Sequence, residues 1–169
     1  EQLLQHRVAG GLQARVHCWR PDAPARGVMQ VIHGMAEHSG RYERLATALT
    51  ASGFVVYAHD LPGHGPHAEP RGHFADHRGW RVAISSIRDV QRIAQREQPG
   101  KPYFMLGHSM GSFLLQHYLV EHVDAFRTRY PGIHLELVIG TPPLNLLKRE
   151  AEIALRTSPG VTSTIPPGH

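Results

Sequence analysis

Apolar runs bounded by glycine and proline alternate along this chain with amphipathic stretches, and that alternation predicts its elements. Residues 3 to 20 hold two extended segments about Gly10-Gly11, the second alternating as Leu12, Ala14, Val16 and Cys18, which predicts an antiparallel hairpin. After the loop from Pro21 to Ala25, the run Gly27 to Ile32 (GVMQVI) predicts a buried strand. Arg41 to Ser52, with Leu45, Ala46, Ala48 and Leu49 and a stop at Gly53, predicts a helix that returns to a strand over Phe54 to Ala58. A long loop rich in His, Pro and Gly then runs from His59 to about Gly79. Val82, Ile84, Ile87, Val90, Ile93 and Ala94 recur at helical spacing and predict a covering helix over Trp80 to Gln98. Past the breaker Pro99-Gly100-Lys101-Pro102, the short apolar run Tyr103 to Leu106 leads through a turn into the helix-like segment around Phe113 to Leu119. Strands alternating with helices imply an α/β fold, a mostly parallel sheet with helices on both faces behind the N-terminal hairpin.

Composition narrows this picture only a little. A chain of 169 residues with 41% apolar content fits one globular domain with its own core, and no stretch has the length of a membrane span. The net charge is +4, but the arginines are scattered, so charge gives no reason to expect a nucleic-acid partner. The single Cys18 excludes an intramolecular disulfide and, beside Trp19, reads as a small buried apolar group in a protein of a reducing, cytoplasmic compartment. The chain begins at Glu1 without an initiator methionine and shows no charged-then-apolar leader, so the expectation is that either its start has been trimmed or it is an excerpt.

The chemistry concentrates in two loops. Gly107-His108-Ser109-Met110-Gly111 follows an apolar strand and opens an apolar helix, the context in which G-x-S-x-G forms a nucleophile elbow: the turn lifts the Ser109 hydroxyl clear, and Gly107 and Gly111 keep Cβ atoms out of a tightly packed turn. His33-Gly34-Met35-Ala36-Glu37-His38-Ser39 directly follows the GVMQVI strand. A glycine-containing loop there can present backbone N–H groups to an oxyanion without reorganising, and the expected donors are the amides of Met35 and Met110. His59 with Asp60, His64 with His67, and His73 with Asp76 and His77 offer metal-ligand atoms, but none completes a zinc-type spacing, so no metal is expected.

HGMAEHSGRY, AHDLPGHG, GHFAD with its Gly79-Trp80 pair, and LGHSMGSF, in this order, resemble the monoacylglycerol lipase and lysophospholipase branch of the α/β-hydrolase family over about residues 5–122. The resemblance implies a carboxylic-ester hydrolase with a Ser-His-acid mechanism and no cofactor, acting on a small acyl ester or lysolipid, with peripheral membrane contact. Ser109 would be the nucleophile and the Met35 and Met110 amides the oxyanion hole; His33 and Gly34 would shape the loop, and His108 would not be the base. Pro66 and His67 after GHG depart from the family pattern of a small polar residue there.

Residues 1–122 thus read as the N-terminal part of a hydrolase domain and residues 123–169 as a tail of separate status. The family order is nucleophile, acid, then histidine, and the stretch from Ser109 to His169 is short for the remaining strand-helix units. The fold is therefore expected to be truncated, with exposed apolar faces and self-association. Asp124 and His169 have the right order but read as helix-end polarity and a chain terminus. From Val123, the run DAFRTRYPGIHLELVIGTPPLNLLKREAEIALRTSP resembles the opening of a LysR-type effector-binding domain, while His134 to Gly140 reads equally as the next hydrolase strand. No helix-turn-helix precedes this run, so a regulator is not supported. A catalytically inactive, hydrolase-derived binding module is the alternative function.

Overall fold

A computed structural model describes residues 2–7, 13–129 and 131. Strands β1 (Gln2–Arg7), β2 (Gln13–Trp19), β3 (Gly27–Ile32), β4 (Phe54–His59) and β5 (Tyr103–Gly107) form one sheet in the order β1-β2-β4-β3-β5. The β1-β2 and β2-β4 pairings are antiparallel, whereas β4, β3 and β5 run parallel. The predicted hairpin strands are both present; the Gly10-Gly11 turn lies outside the described residues.

Side-chain alternation along β3 and β4 assigns the helices to opposite faces. Val28 and Ile32 of β3, with Val55 and Tyr57 of β4, pack toward α2 (Gly79–Glu97) and, around Ile32, toward α3 (Met110–Val120). Val31, Val56 and Ala58 point the other way and meet Ala46 of α1 (Glu43–Ala51). Buried apolar area of this kind, worth roughly 25 cal/mol per Å², is what makes the amphipathic spacing of α2 predictive: Ala83, Ile84, Ile87, Val90 and Ala94 are all buried. The polar Gln30 in the middle of β3 is fully buried, and it donates to the Ile87 carbonyl at 3.0 Å while accepting from the Tyr103 hydroxyl at 2.6 Å. Cys18 is buried against this same layer and burial pushes its thiol up, in keeping with a packing role.

The helix predicted from Arg41 begins differently. A 3₁₀ turn spans Ser39–Tyr42 before α1 starts at Glu43. Its cause is Asp60 at the end of β4, whose Oδ1 accepts from both the Ser39 N–H (2.8 Å) and the Ser39 hydroxyl (2.6 Å), pinning the entry to the helix in a tighter winding. A short helix α4 (Val123–Arg129) follows α3, and Asp124 sits in its first turn; His134 to Gly140, the AEIAL segment and His169 lie outside the described residues. Phe104 and Leu106 on β5, and Phe113 and Val120 on α3, are exposed among the described residues. No described helix is long and apolar enough to cross a membrane.

Candidate active site

The elbow forms where the G-x-S-x-G pattern places it. β5 ends at Gly107, α3 begins at Met110, and Ser109 between them has φ 51° and ψ −118°, a conformation that only glycine adopts without strain. The turn is docked on the end of β3: the His108 N–H donates to the Ile32 carbonyl at 3.0 Å. Both flanking glycines are required by contact with backbone. A Cβ on Gly107 would lie 2.5 Å from the Gly111 carbonyl oxygen, and one on Gly111 would overlap the Ile32 carbonyl oxygen and lie 2.7 Å from that of His33. Gly111→Ala is accordingly expected to push α3 off β3 and to cost about 3 kcal/mol, measurable as a lower urea midpoint at unchanged m-value.

Ser109 is exposed at the head of α3, and its hydroxyl has no hydrogen-bond partner among the described residues. The Met110 N–H is one of the first-turn amides that a helix leaves unsatisfied, and no described acceptor takes it. The positive end of the helix dipole lies here too, favouring negative charge.

The His33 to Ser39 loop lies beside this turn. His33 is buried and neutral: its Nε2 accepts from the Leu61 N–H at 2.9 Å, so its Nδ1 carries the proton and donates to the Gly34 carbonyl at 2.7 Å. Burial pulls its protonation range down, which keeps that tautomer. Ala36 has φ 57°, and the Glu37 N–H reaches back to the Gly34 carbonyl at 3.4 Å to close the turn. Met35 at its tip is 70% exposed, and its N–H has no acceptor among the described residues.

Glu37, to which the residue pattern assigns no role, is the hub of this loop. Its Oε2 accepts from the Gly34 N–H (2.8 Å), the Tyr42 hydroxyl (2.7 Å) and His108 Nδ1 (3.1 Å). Burial alone would push its carboxyl up; the bonds from Gly34, Tyr42 and His108 outweigh that and hold it down to about 2. The sequence carries a faint signal of this, a glycine with an acidic residue three positions on and a tyrosine five beyond it, but nothing in it links them to His108.

Ser109, Met35 and Met110 line one open cleft of about 1000 Å³, with Phe113, Trp80 and Phe74 supplying apolar wall and His64 and Arg71 polar edges. Three of the histidines from this stretch, His59, His64 and His73, make other contacts. His64 Nδ1 donates to the Pro62 carbonyl at 2.9 Å, His73 pairs with Asp76, and His59 is buried in β4 against Ser86; among the described residues no group of three or more ligand-type side chains converges.

A family model described as serine aminopeptidase, S33, matches residues 23–133. The chain belongs to this α/β-hydrolase family. Within the family's wider surroundings it is similar to a monoacylglycerol lipase of Mycolicibacterium smegmatis, 33% identical over 166 residues, covering 93% of this chain and 55% of that protein. It is also 38% identical over 111 residues to the human monoglyceride lipase, covering 65% of this chain and 36% of that protein. Among solved structures, a thermostable carboxyl esterase from Bacillus coagulans in complex with glycerol superposes with a TM-score of 0.66 at 34% identity, covering 72% of this chain and 40% of that one. The chain spans about half the length of the first of these relatives and about a third of the second.

Proposed function

We propose that this chain carries the nucleophile and oxyanion hole of a carboxylic-ester hydrolase acting on glycerol monoesters or lysophospholipids. The observation that carries this reading is the backbone at Ser109, held at φ 51° between a strand and the first turn of α3, next to an unsatisfied Met110 amide. In the proposed reaction Ser109 Oγ attacks the ester carbonyl carbon and its proton passes to a base. The carbonyl oxygen, now negative, takes the Met35 and Met110 N–H groups, each such donor being worth about 3 kcal/mol. The C–O bond to the alcohol then breaks, the alcohol leaves with the proton, and water releases the acyl group from Ser109 by the reverse sequence. No described histidine bonds to Ser109 Oγ: His108 turns its Nδ1 to Glu37, so it is not proposed as the base. The apolar wall of Phe113, Trp80 and Phe74 suits an acyl chain, and the exposed Met35 and Phe113 at the mouth suit approach to a lipid surface from the cytoplasmic side.

For residues 123–169 we favour continuation of the hydrolase over the LysR-type resemblance. The supports are the family match running to residue 133 and the 93% of this chain that aligns with the Mycolicibacterium lipase.

The test is covalent labelling of the protein expressed from its whole coding sequence with a fluorophosphonate ester, followed by peptide mass spectrometry. The expected result is a single modified peptide carrying the adduct on Ser109, lost in Ser109→Ala. A natively folded protein whose Ser109 stays unmodified after prolonged exposure would favour the inactive binding module instead.

A further inference from the structure

We infer that Glu37 is a positioning residue that locks the two halves of the oxyanion hole into one frame. The inference rests on the serine-hydrolase reading above and adds to it a side chain that borders the same cleft but bonds to Gly34, Tyr42 and His108 and not to Ser109. The two proposed donors come from segments far apart in sequence, the loop after β3 for Met35 and the turn after β5 for Met110, and an oxyanion hole works only if both are placed before the charge develops. Something must therefore hold one segment against the other.

Glu37 Oε2 does so with three bonds. The first, from the Gly34 N–H at 2.8 Å, fixes the peptide on the N-terminal side of Gly34. The carbonyl on its C-terminal side is held by His33 Nδ1–H at 2.7 Å and by the Glu37 N–H at 3.4 Å. That carbonyl shares a trans peptide plane with the Met35 N–H, and in a trans peptide the two point in opposite directions. Pinning the Gly34 oxygen toward His33 therefore turns the Met35 N–H the other way, where no described acceptor takes it. The second bond, from His108 Nδ1 at 3.1 Å, reaches the residue immediately before Ser109, so one carboxylate oxygen touches both segments. The third, from the Tyr42 hydroxyl at 2.7 Å, anchors the carboxylate to the turn that leads into α1.

Placing a carboxylate next to an oxyanion site is electrostatically unfavourable, which makes the arrangement informative. If charge were its contribution, removing it should help the reaction. Three donors on one oxygen and the Arg41 guanidinium 3.8 Å from the other instead offset that charge locally, and the space left is tight: a Cβ on Gly34 would lie 3.1 Å from both Glu37 Oε2 and His108 Nδ1. Position is what remains for Glu37 to supply.

The experiment uses the protein expressed from its whole coding sequence, with Glu37→Gln, Glu37→Ala, His108→Ala and Ser109→Ala, hydrolysing a short-chain glycerol monoester. Glu37→Ala is expected to lower kcat about 10²-fold with KM within about threefold, since a misplaced donor weakens transition-state binding alone. An alkyl trifluoromethyl ketone, whose adduct places an oxyanion in the same hole, should bind more weakly by the same factor. Glu37→Gln keeps an acceptor for the Gly34 N–H and should recover about tenfold of the loss; His108→Ala cuts one bond of three and should fall between the two. A general loss of fold would lower the melting temperature and the amount of active enzyme without shifting the ketone affinity of the enzyme that remains. The proposal is overturned if the Glu37 variants keep kcat within threefold, gain rate, or lose only KM, while Ser109→Ala is inactive. An active Ser109→Ala would instead overturn the hydrolase reading itself. Should Glu37→Ala fail to fold, the Gln and His108 variants decide by the same criteria.

Discussion

Ser109→Gly is expected to abolish ester turnover and at the same time to make the protein more stable. The first effect follows from the proposed chemistry: without Oγ no acyl-enzyme can form, and loss of a serine nucleophile costs on the order of 10⁴- to 10⁶-fold in kcat. The second follows from the backbone. At φ 51° and ψ −118°, Ser109 occupies a region in which a side chain costs about 1–3 kcal/mol. Glycine relieves that strain but loses roughly 0.5–1 kcal/mol through the greater freedom of its unfolded chain, so a net gain of about 1 kcal/mol remains. For a domain of this size that is a rise in melting temperature of about 2–4 °C. Ser109→Ala is the control, since it removes the hydroxyl and keeps the strain; it should be equally inactive with an unchanged melting temperature. Calorimetry on the three proteins separates the terms, and a Ser109→Gly protein that melts no higher than Ser109→Ala would show that the turn is not strained at this residue.

The strands and helices that frame this elbow are legible in the residue pattern alone. β3 spans the same residues as the run GVMQVI, α2 begins one residue before the predicted Trp80 and ends one before Gln98, and β5 extends the predicted run only by Gly107. Local pattern and tertiary burial agree in β3 and α2: a strand buried on both faces is apolar but for the bonded Gln30, and a helix lying on one face of a sheet is apolar on one side. By contrast, β5 is apolar in pattern yet leaves Phe104 and Leu106 exposed. The start of α1 is not legible in this way, because the 3₁₀ turn at Ser39–Tyr42 is imposed by Asp60 from the next strand. Glu37 escapes for the same reason on a larger scale. Its donors come from Gly34, Tyr42 and His108, and only the fold brings the last of them near. The pattern puts His59 at the opening of a loop with metal-ligand side chains, yet it closes β4 and is fully buried. Histidine has no period of its own, so a core histidine and a loop histidine look alike until the neighbouring strand is placed.

That buried His59 leads to an expected acid sensitivity. Its Nε2–H donates to Ser86 Oγ at 3.1 Å, and the Ser86 hydroxyl donates its own proton to the Ala83 carbonyl at 2.7 Å, so Nε2 is the protonated nitrogen of a neutral ring. Nδ1 is buried with no partner, and a proton there would bring a charge into the core with nothing to receive it. Burial, assisted by His33 nearby, accordingly holds His59 down to about 3. In the unfolded chain the same ring takes a proton near its ordinary value of about 6.5. Between these two values the unfolded state binds one more proton than the folded state, so stability is complete above about pH 6.5 and declines as pH falls toward 3. The slope is about 1.4 kcal/mol per pH unit, and the whole window amounts to roughly 4–5 kcal/mol, a large part of the stability of an ordinary domain. His33, also drawn down by burial, adds to the loss in the same direction. Glu37, held down to about 2, adds its own only as pH falls below the ordinary carboxylate range, so the histidine contribution can be read separately between about pH 7 and pH 5. Urea unfolding across that interval should show the midpoint falling in the parent protein and falling much less in His59→Gln, which cannot titrate. Parallel slopes in the two proteins would place the acid sensitivity on other groups and leave His59 as packing alone.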